Sequence, residues 1–341
     1  MQTRRTLIAS IAATVALSFG APAAIAKEPI PVVASFSIIG DMVARIGGDK
    51  VALTTLVGPD GDAHVYQPTP ADARAVKEAA ALIVNGLEFE GWMDRLVEAA
   101  EFNGALTVAT SGIDAIAFED GHDDHDGHDG DKHDDHGEED HAEDKHDDHG
   151  DEDHAGHGDH HGHDHGVFDP HAWLSVEKAV KYVDNITAAL AAADPENASV
   201  FYINRAAYVA ELEALDAEIR TLIDGLPADR RTIVTSHDAF GYFADSYGLR
   251  FEAPQGLSTE SEPSAADVAE MITQIREEGI SAVFVESITD NRLLEQIASE
   301  TGAVIGGTLY SDALSAGDGP AGTYVDMMRH NARTLAAALG S

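Results

Sequence analysis

Residues 31–57 read PVVASFSIIGDMVARIGGDKVALTTLV, and this stretch decides the fold class. Pro31–Ser37 is an apolar, largely β-branched run that predicts a strand. Ile38–Ile46 carries apolar residues at helical spacing and stops at Gly47-Gly48, which predicts a helix. Val51–Val57 predicts a second strand, ending in the turn-rich Gly58-Pro59-Asp60-Gly61-Asp62. Strand, helix and strand in so short a span describe an α/β layer.

The alternation continues outward. Helices are expected over Pro70–Ala80 and Trp92–Glu101, and strands over Ala81–Asn85 and Leu106–Ala109. A long helical stretch, Val176–Ile223, breaks near Asp194-Pro195 because proline cannot continue a helix. Its second half, Ala198–Ile223, is rich in Ala, Leu and Glu, as a rigid spacer would be. Beyond it the pattern restarts. Strands are expected at Thr232–Thr235, Ala282–Val285 and Val304–Leu309, with helices at Asp238–Tyr247, Pro263–Glu278, Asn291–Thr301 and Thr323–Leu339. The expected architecture is α/β: two lobes, each a mainly parallel sheet flanked by helices, joined by one long helix. Ligands of such sheets bind beyond the carboxyl ends of the strands, so the natural site is the cleft between the lobes. The expected divisions are a leader at 1–26, an N-terminal lobe at 27–195, a linking helix at 196–225 and a C-terminal lobe at 226–341.

The leader begins Met1-Gln-Thr-Arg4-Arg5, runs apolar through Thr6–Gly20 and reaches Ala24-Ile25-Ala26. A basic start, a short apolar core and an A-x-A end predict a secretory signal peptide cleaved after Ala26. The chain has no cysteine. That excludes disulfides, Cys-ligated zinc and a lipid-modified Cys in this sequence, and the expectation is a periplasmic protein without a lipid anchor. The formal net charge is −40, which repels nucleic acid and attracts cations.

Residues Glu119–Gly166 contain 14 His, 21 Asp or Glu, two Lys, nine Gly and two Ala, and nothing else. With no large apolar residue, the tract cannot offset the entropy of ordering its backbone, so the expectation is a mobile loop. Imidazole is the commonest protein ligand for zinc. His122, His125, His128, His133, His136, His141, His146, His149, His154, His157, His160, His161, His163 and His165 together make a weak, multivalent chelator. A plain charged linker needs no imidazole.

Four His lie outside the tract. His64 follows a strand in Gly58-Pro-Asp-Gly-Asp-Ala-His64, His171 sits in Asp169-Pro-His171, and His237 follows a strand in Val234-Thr-Ser-His237. Asp312 takes the matching place in Leu309-Tyr-Ser-Asp312-Ala. A lone loop His is usually solvated, and an Asp after a strand is often a helix cap. Equivalent placement in both lobes, beside a metal-binding tract, favours the other reading: three imidazoles and a carboxylate around one Zn²⁺. His330, mid-helix with no partner in view, reads as a surface residue, and Trp92 and Trp173 read as packing residues.

The motifs 58–72 (GPDGDAHVYQPTPAD), Asp169-Pro-His171-Ala-Trp-Leu, Thr235-Ser-His237-Asp-Ala-Phe, Phe284-Val-Glu-Ser287 and Tyr310-Ser-Asp312-Ala-Leu-Ser315 carry a resemblance. In this order they are similar to the zinc and manganese solute-binding proteins of bacterial ABC importers. The resemblance implies two α/β lobes joined by one long helix, with His64, His171, His237 and Asp312 as ligands. Members resembling manganese binders place Glu at the third position, where this chain has His237. Some zinc members carry Glu just before the first His, and here that residue is Ala63. Asp312 or a water is then the expected fourth ligand. A His-rich loop ahead of the second ligand is also a feature of zinc-uptake members. The implied partners are an inner-membrane permease with its cytoplasmic ATPase, and the resemblance also allows a periplasmic zinc chaperone. A monomer is expected, since closure needs no second chain. The rival readings are a manganese-binding homologue, a zinc chaperone or adhesin without a transporter, and a zinc hydrolase using Asp238 or Glu286 as general base.

Overall fold

The structure is a computed structural model that describes residues 27–117 and 168–340. The leader and the His-rich tract, with all 14 of its His, lie outside the described residues. The N-terminal sheet is built from β1 (Ile30–Phe36), β2 (Val51–Val57), β3 (Ala81–Val84) and β4 (Ala105–Val108), in the order β2-β1-β3-β4. All its pairings are parallel. The C-terminal sheet is built from β5 (Thr232–Val234), β6 (Arg250–Glu252), β7 (Ala282–Glu286) and β8 (Val304–Leu309), in the order β6-β5-β7-β8. It too is wholly parallel. The inner strands β3 and β7 are buried along their full length, as near-continuous apolar runs should be in a covered parallel sheet.

Helices α1 (Ser37–Gly47), α2 (Pro70–Glu78) and α3 (Met93–Ala100) belong to the first sheet. Two of the later ones are α4 (Val176–Ala193) and α5 (Ala198–Asp224), separated by a 3-10 turn at Pro195–Asn197. The C-terminal lobe carries α6 (Gly241–Tyr247), α7 (Ala265–Glu278), α8 (Arg292–Thr301) and α9 (Tyr324–Leu339). Capping fixes several starts. Thr69 and Asp72 form a reciprocal capping box with Pro70 in the first turn, and Ser264 and Asp267 form another. Thr323 caps α9 through its hydroxyl.

Two sequence expectations shift. The helix expected from Asp238 begins only at Gly241, because the chain stays extended past β5 and His237 bridges Gln255 in parallel. Strand β6 was not expected: it is three residues long with charged ends, too short to show an alternating pattern.

The 27-residue α5 spans about 40 Å at 1.5 Å per residue. It buries Phe201, Tyr208, Leu212, Leu215, Ile219 and Ile223 as one stripe. That stripe packs against α1, α4 and α9. One apolar core therefore runs from Phe36 and Trp173 through Leu212 to Tyr324 and Leu335, across both lobes. A second, smaller core around Val234, Val283 and Ile297 lies within the C-terminal lobe. Among the described residues, no helix is long and apolar enough to cross a membrane.

Candidate metal centre

Loops from both lobes converge beyond the carboxyl ends of the strands. His64 comes from the loop after β2, His171 from the segment entering α4, His237 from the turn after β5, and Asp312 from the turn after β8. All four are buried, and one ligand atom of each lies within 4.8 Å of the others. These are the four residues named from the sequence. Asp312 Oδ2 lies 3.2 Å from His64 Nε2 and 3.2 Å from His237 Nε2, while Oδ1 lies 3.6 Å from His171 Nε2. In a tetrahedral zinc shell with bonds of about 2.0 Å, ligand atoms stand about 3.3 Å apart. The three Nε2 atoms and both Asp312 oxygens have no hydrogen-bond partner among the described residues. Buried polar atoms normally have one, so this convergence fits a cation.

In two of the three rings the other nitrogen faces a carboxylate. His171 Nδ1 is 2.8 Å from Asp169 Oδ1, which also accepts the His171 backbone N–H at 2.9 Å. His237 Nδ1 is 2.8 Å from Glu286 Oε2, and Glu286 Oε1 accepts the backbone N–H groups of Ser236 and His237 at 2.8 Å each. Carboxylates in this position fix the tautomer that leaves Nε2 free for a metal and raise its basicity. For His64 the support is indirect. Asp62 Oδ1 accepts its backbone N–H at 2.9 Å, Trp92 Nε1 donates to the Ala63 carbonyl at 2.7 Å, and the Phe89 ring stands 4.6 Å away, edge-on. The Pro170 carbonyl accepts from Asn85 Nδ2 at 2.9 Å, and Tyr182 in turn donates to Asn85 at 2.6 Å.

The electrostatics follow from this packing. Burial alone would lower the His237 pKa, but Glu286 and Asp312 outweigh it and hold the imidazole well above its usual value. Burial alone would raise Asp312, yet His237 and His171 hold it well below the carboxylate range. His237 and Asp312 thus favour each other's charged forms.

Several side chains have other roles than the sequence suggested. Glu286, weighed as a general base, accepts the Ser236 and His237 backbone N–H groups with Oε1 and lies 2.8 Å from His237 Nδ1 with Oε2. Burial pushes the Asp238 carboxyl up to about 6, with Asp169 adding to the shift. His330 is not a free surface residue: it is half-buried, its Nε2 lies 3.0 Å from the Thr308 carbonyl and its ring meets Tyr310. Trp92 and Trp173 do pack in the core, but each also donates to a backbone carbonyl beside a candidate ligand. The orienting role of Asp169 was not read from the sequence, although its place two residues ahead of His171 was a usable signal. Nothing local marked Asn85.

Residues 32–338 match the family described as zinc-uptake complex component A, periplasmic (ZnuA). The manganese-binding lipoprotein MntA of Bacillus subtilis is 33% identical over 320 residues, covering 92% of this chain and 91% of its own. The iron-binding protein YfeA of Yersinia pestis is 30% identical over 331 residues, covering 97% of this chain and 93% of its own. The solved structure of the periplasmic zinc binding protein TroA of Treponema pallidum superposes with a TM-score of 0.75 at 29% identity, covering 92% of this chain and 99% of that one. One expectation is corrected by these relatives. A protein free of a lipid anchor was expected, but relatives aligned over most of the chain are named lipoproteins. The chain belongs to the zinc-uptake complex component A family, the metal-binding substrate-binding components of ABC importers.

Proposed function

We propose that the protein binds one Zn²⁺ between its lobes through His64, His171, His237 and Asp312 and presents it to a membrane permease driven by an ATPase. One observation carries this reading: three imidazole Nε2 atoms, otherwise unpartnered, face a single buried carboxylate at 3.2–3.6 Å. Relatives named for manganese and iron keep those metals in view as cargo. The donor set argues for zinc. Three nitrogens and one carboxylate suit a tetrahedral d¹⁰ ion, whereas manganese favours more oxygen. Ligands from both lobes make closure and binding one event. The apolar core along α5 favours small loop shifts over wide opening during release.

The His-rich tract supports a capture or buffering role. Ala117 and Phe168, the residues bounding 118–167, pair in an antiparallel bridge, and Phe168 stands just ahead of His171. Both ends of the segment are thus tethered near the cleft, where effective concentration is high.

Titrating zinc and manganese into a variant lacking residues 119–166 tests the proposal. One tight zinc per chain is expected, with manganese weaker and only the low-affinity ions lost. The His237 pKa lies above its usual value, so below that raised value an entering ion displaces a proton. Zinc affinity should therefore fall as the pH is lowered, because protons compete with the ion for His237. Loss of the tight zinc, or manganese held as tightly, contradicts the reading.

A further inference from the structure

We infer that Trp173 is a positioning residue for the metal shell: its indole N–H, bonded to the Ser311 carbonyl, sets the Asp312 carboxylate against His171. The inference rests on the four-ligand reading above. The starting point is an asymmetry. His171 and His237 each have a second carboxylate 2.8 Å from Nδ1, whereas the Asp312 carboxylate faces only the three imidazole Nε2 atoms, at 3.2–3.6 Å. Its position comes from its backbone.

That backbone is tied across the lobes. Trp173 Nε1 donates to the carbonyl of Ser311, the residue before Asp312, at 2.8 Å. Trp173 lies in the 3-10 turn Ala172–Leu174 that directly follows His171. The bond thus joins a ligand segment of the N-terminal lobe to one of the C-terminal lobe. Trp173 is itself immobilised. It is fully buried, and its ring packs against Phe36 at 5.0 Å, Phe89 at 4.8 Å and His171 at 5.3 Å. Its carbonyl accepts the Tyr324 hydroxyl at 2.7 Å, and the Tyr324 N–H is held by Asp41 of α1 at 3.0 Å. On the far side of Asp312, Leu314 N–H donates to Ser37 Oγ at 3.0 Å.

His171 and Asp312 therefore form one preorganised half of the shell, although they belong to different lobes. A carboxylate held this way resists shifting to admit extra oxygen ligands. That keeps the coordination number low and disfavours manganese relative to zinc.

The test is Trp173→Phe, which keeps an aromatic ring and removes the donor, with Co²⁺ as a spectroscopic probe. Zinc affinity should fall about tenfold or more, as when other orienting partners of metal ligands are removed. Manganese affinity should fall less, and the visible cobalt bands should lose the intensity of a four-coordinate site. In an Asp312→Ala background, Trp173→Phe should leave zinc affinity unchanged. Tyr324→Phe, which removes only the hydroxyl on the Trp173 carbonyl, should shift the zinc-to-manganese ratio in the same direction. It keeps the test standing if the Trp variant folds poorly. Unchanged cobalt bands and an unchanged ratio in these variants, or an equal loss in the Asp312→Ala background, would overturn the role of Trp173 alone. A six-coordinate cobalt spectrum in the unsubstituted protein would overturn the four-ligand reading and this inference with it.

Discussion

Replacing His171 by Ala should weaken zinc binding several hundredfold while leaving the protein folded. Structural zinc sites contribute roughly 10–16 kcal/mol, and one ligand of four carries roughly 3–4 kcal/mol of that. His171 is fully buried and its Nε2 faces Asp312, so no nearby solvent-exposed group replaces it without rearrangement. The Asp169 carboxylate would keep the backbone N–H at position 171, which limits damage to the loop. Competition against a chromogenic chelator gives the affinity, and thermal melting of the metal-free protein gives the fold. Unchanged zinc affinity in a folded variant would remove His171 from the site.

The second large effect is expected at Glu286. This carboxylate accepts two backbone N–H groups with one oxygen and holds the His237 ring with the other. Glu286→Ala leaves two buried donors without an acceptor, at roughly 1–3 kcal/mol each. It also frees the imidazole, which should lower zinc affinity about ten- to hundredfold. Glu286→Gln separates the two consequences. An amide oxygen can still accept from the backbone, so most of the stability should return. The charge that raises His237 basicity is gone, so the affinity should not. If Glu286→Gln binds zinc like the unsubstituted protein, the carboxylate serves the turn and not the metal.

Much of this arrangement is legible in the sequence, for physical reasons specific to each element. Strand β2 and strand β8 match their expected limits because each is an apolar run bounded by turn residues. The break before α5 falls at Pro195, where the backbone N–H is missing. His64, His237 and Asp312 could be placed because parallel α/β sheets send strand ends toward the same side. What the sequence hid depends on long-range contact. The three-residue β6 exists because it pairs with β5, and its own pattern gives no sign of it. The late start of α6 reflects the bridge between His237 and Gln255, eighteen positions apart in number yet adjacent in space. Asn85 matters because Pro170 lies beside it, and His330 is anchored by a carbonyl from β8.

X-ray absorption at the zinc edge, on protein lacking residues 119–166 and loaded with one equivalent, tests the central claim most directly. The account predicts a shell of three imidazole nitrogens and carboxylate oxygen at about 2.0 Å, four-coordinate or nearly so. In the His171→Ala variant one imidazole should disappear from that shell. A six-coordinate, oxygen-rich environment, or a spectrum unaltered by His171→Ala, would contradict it.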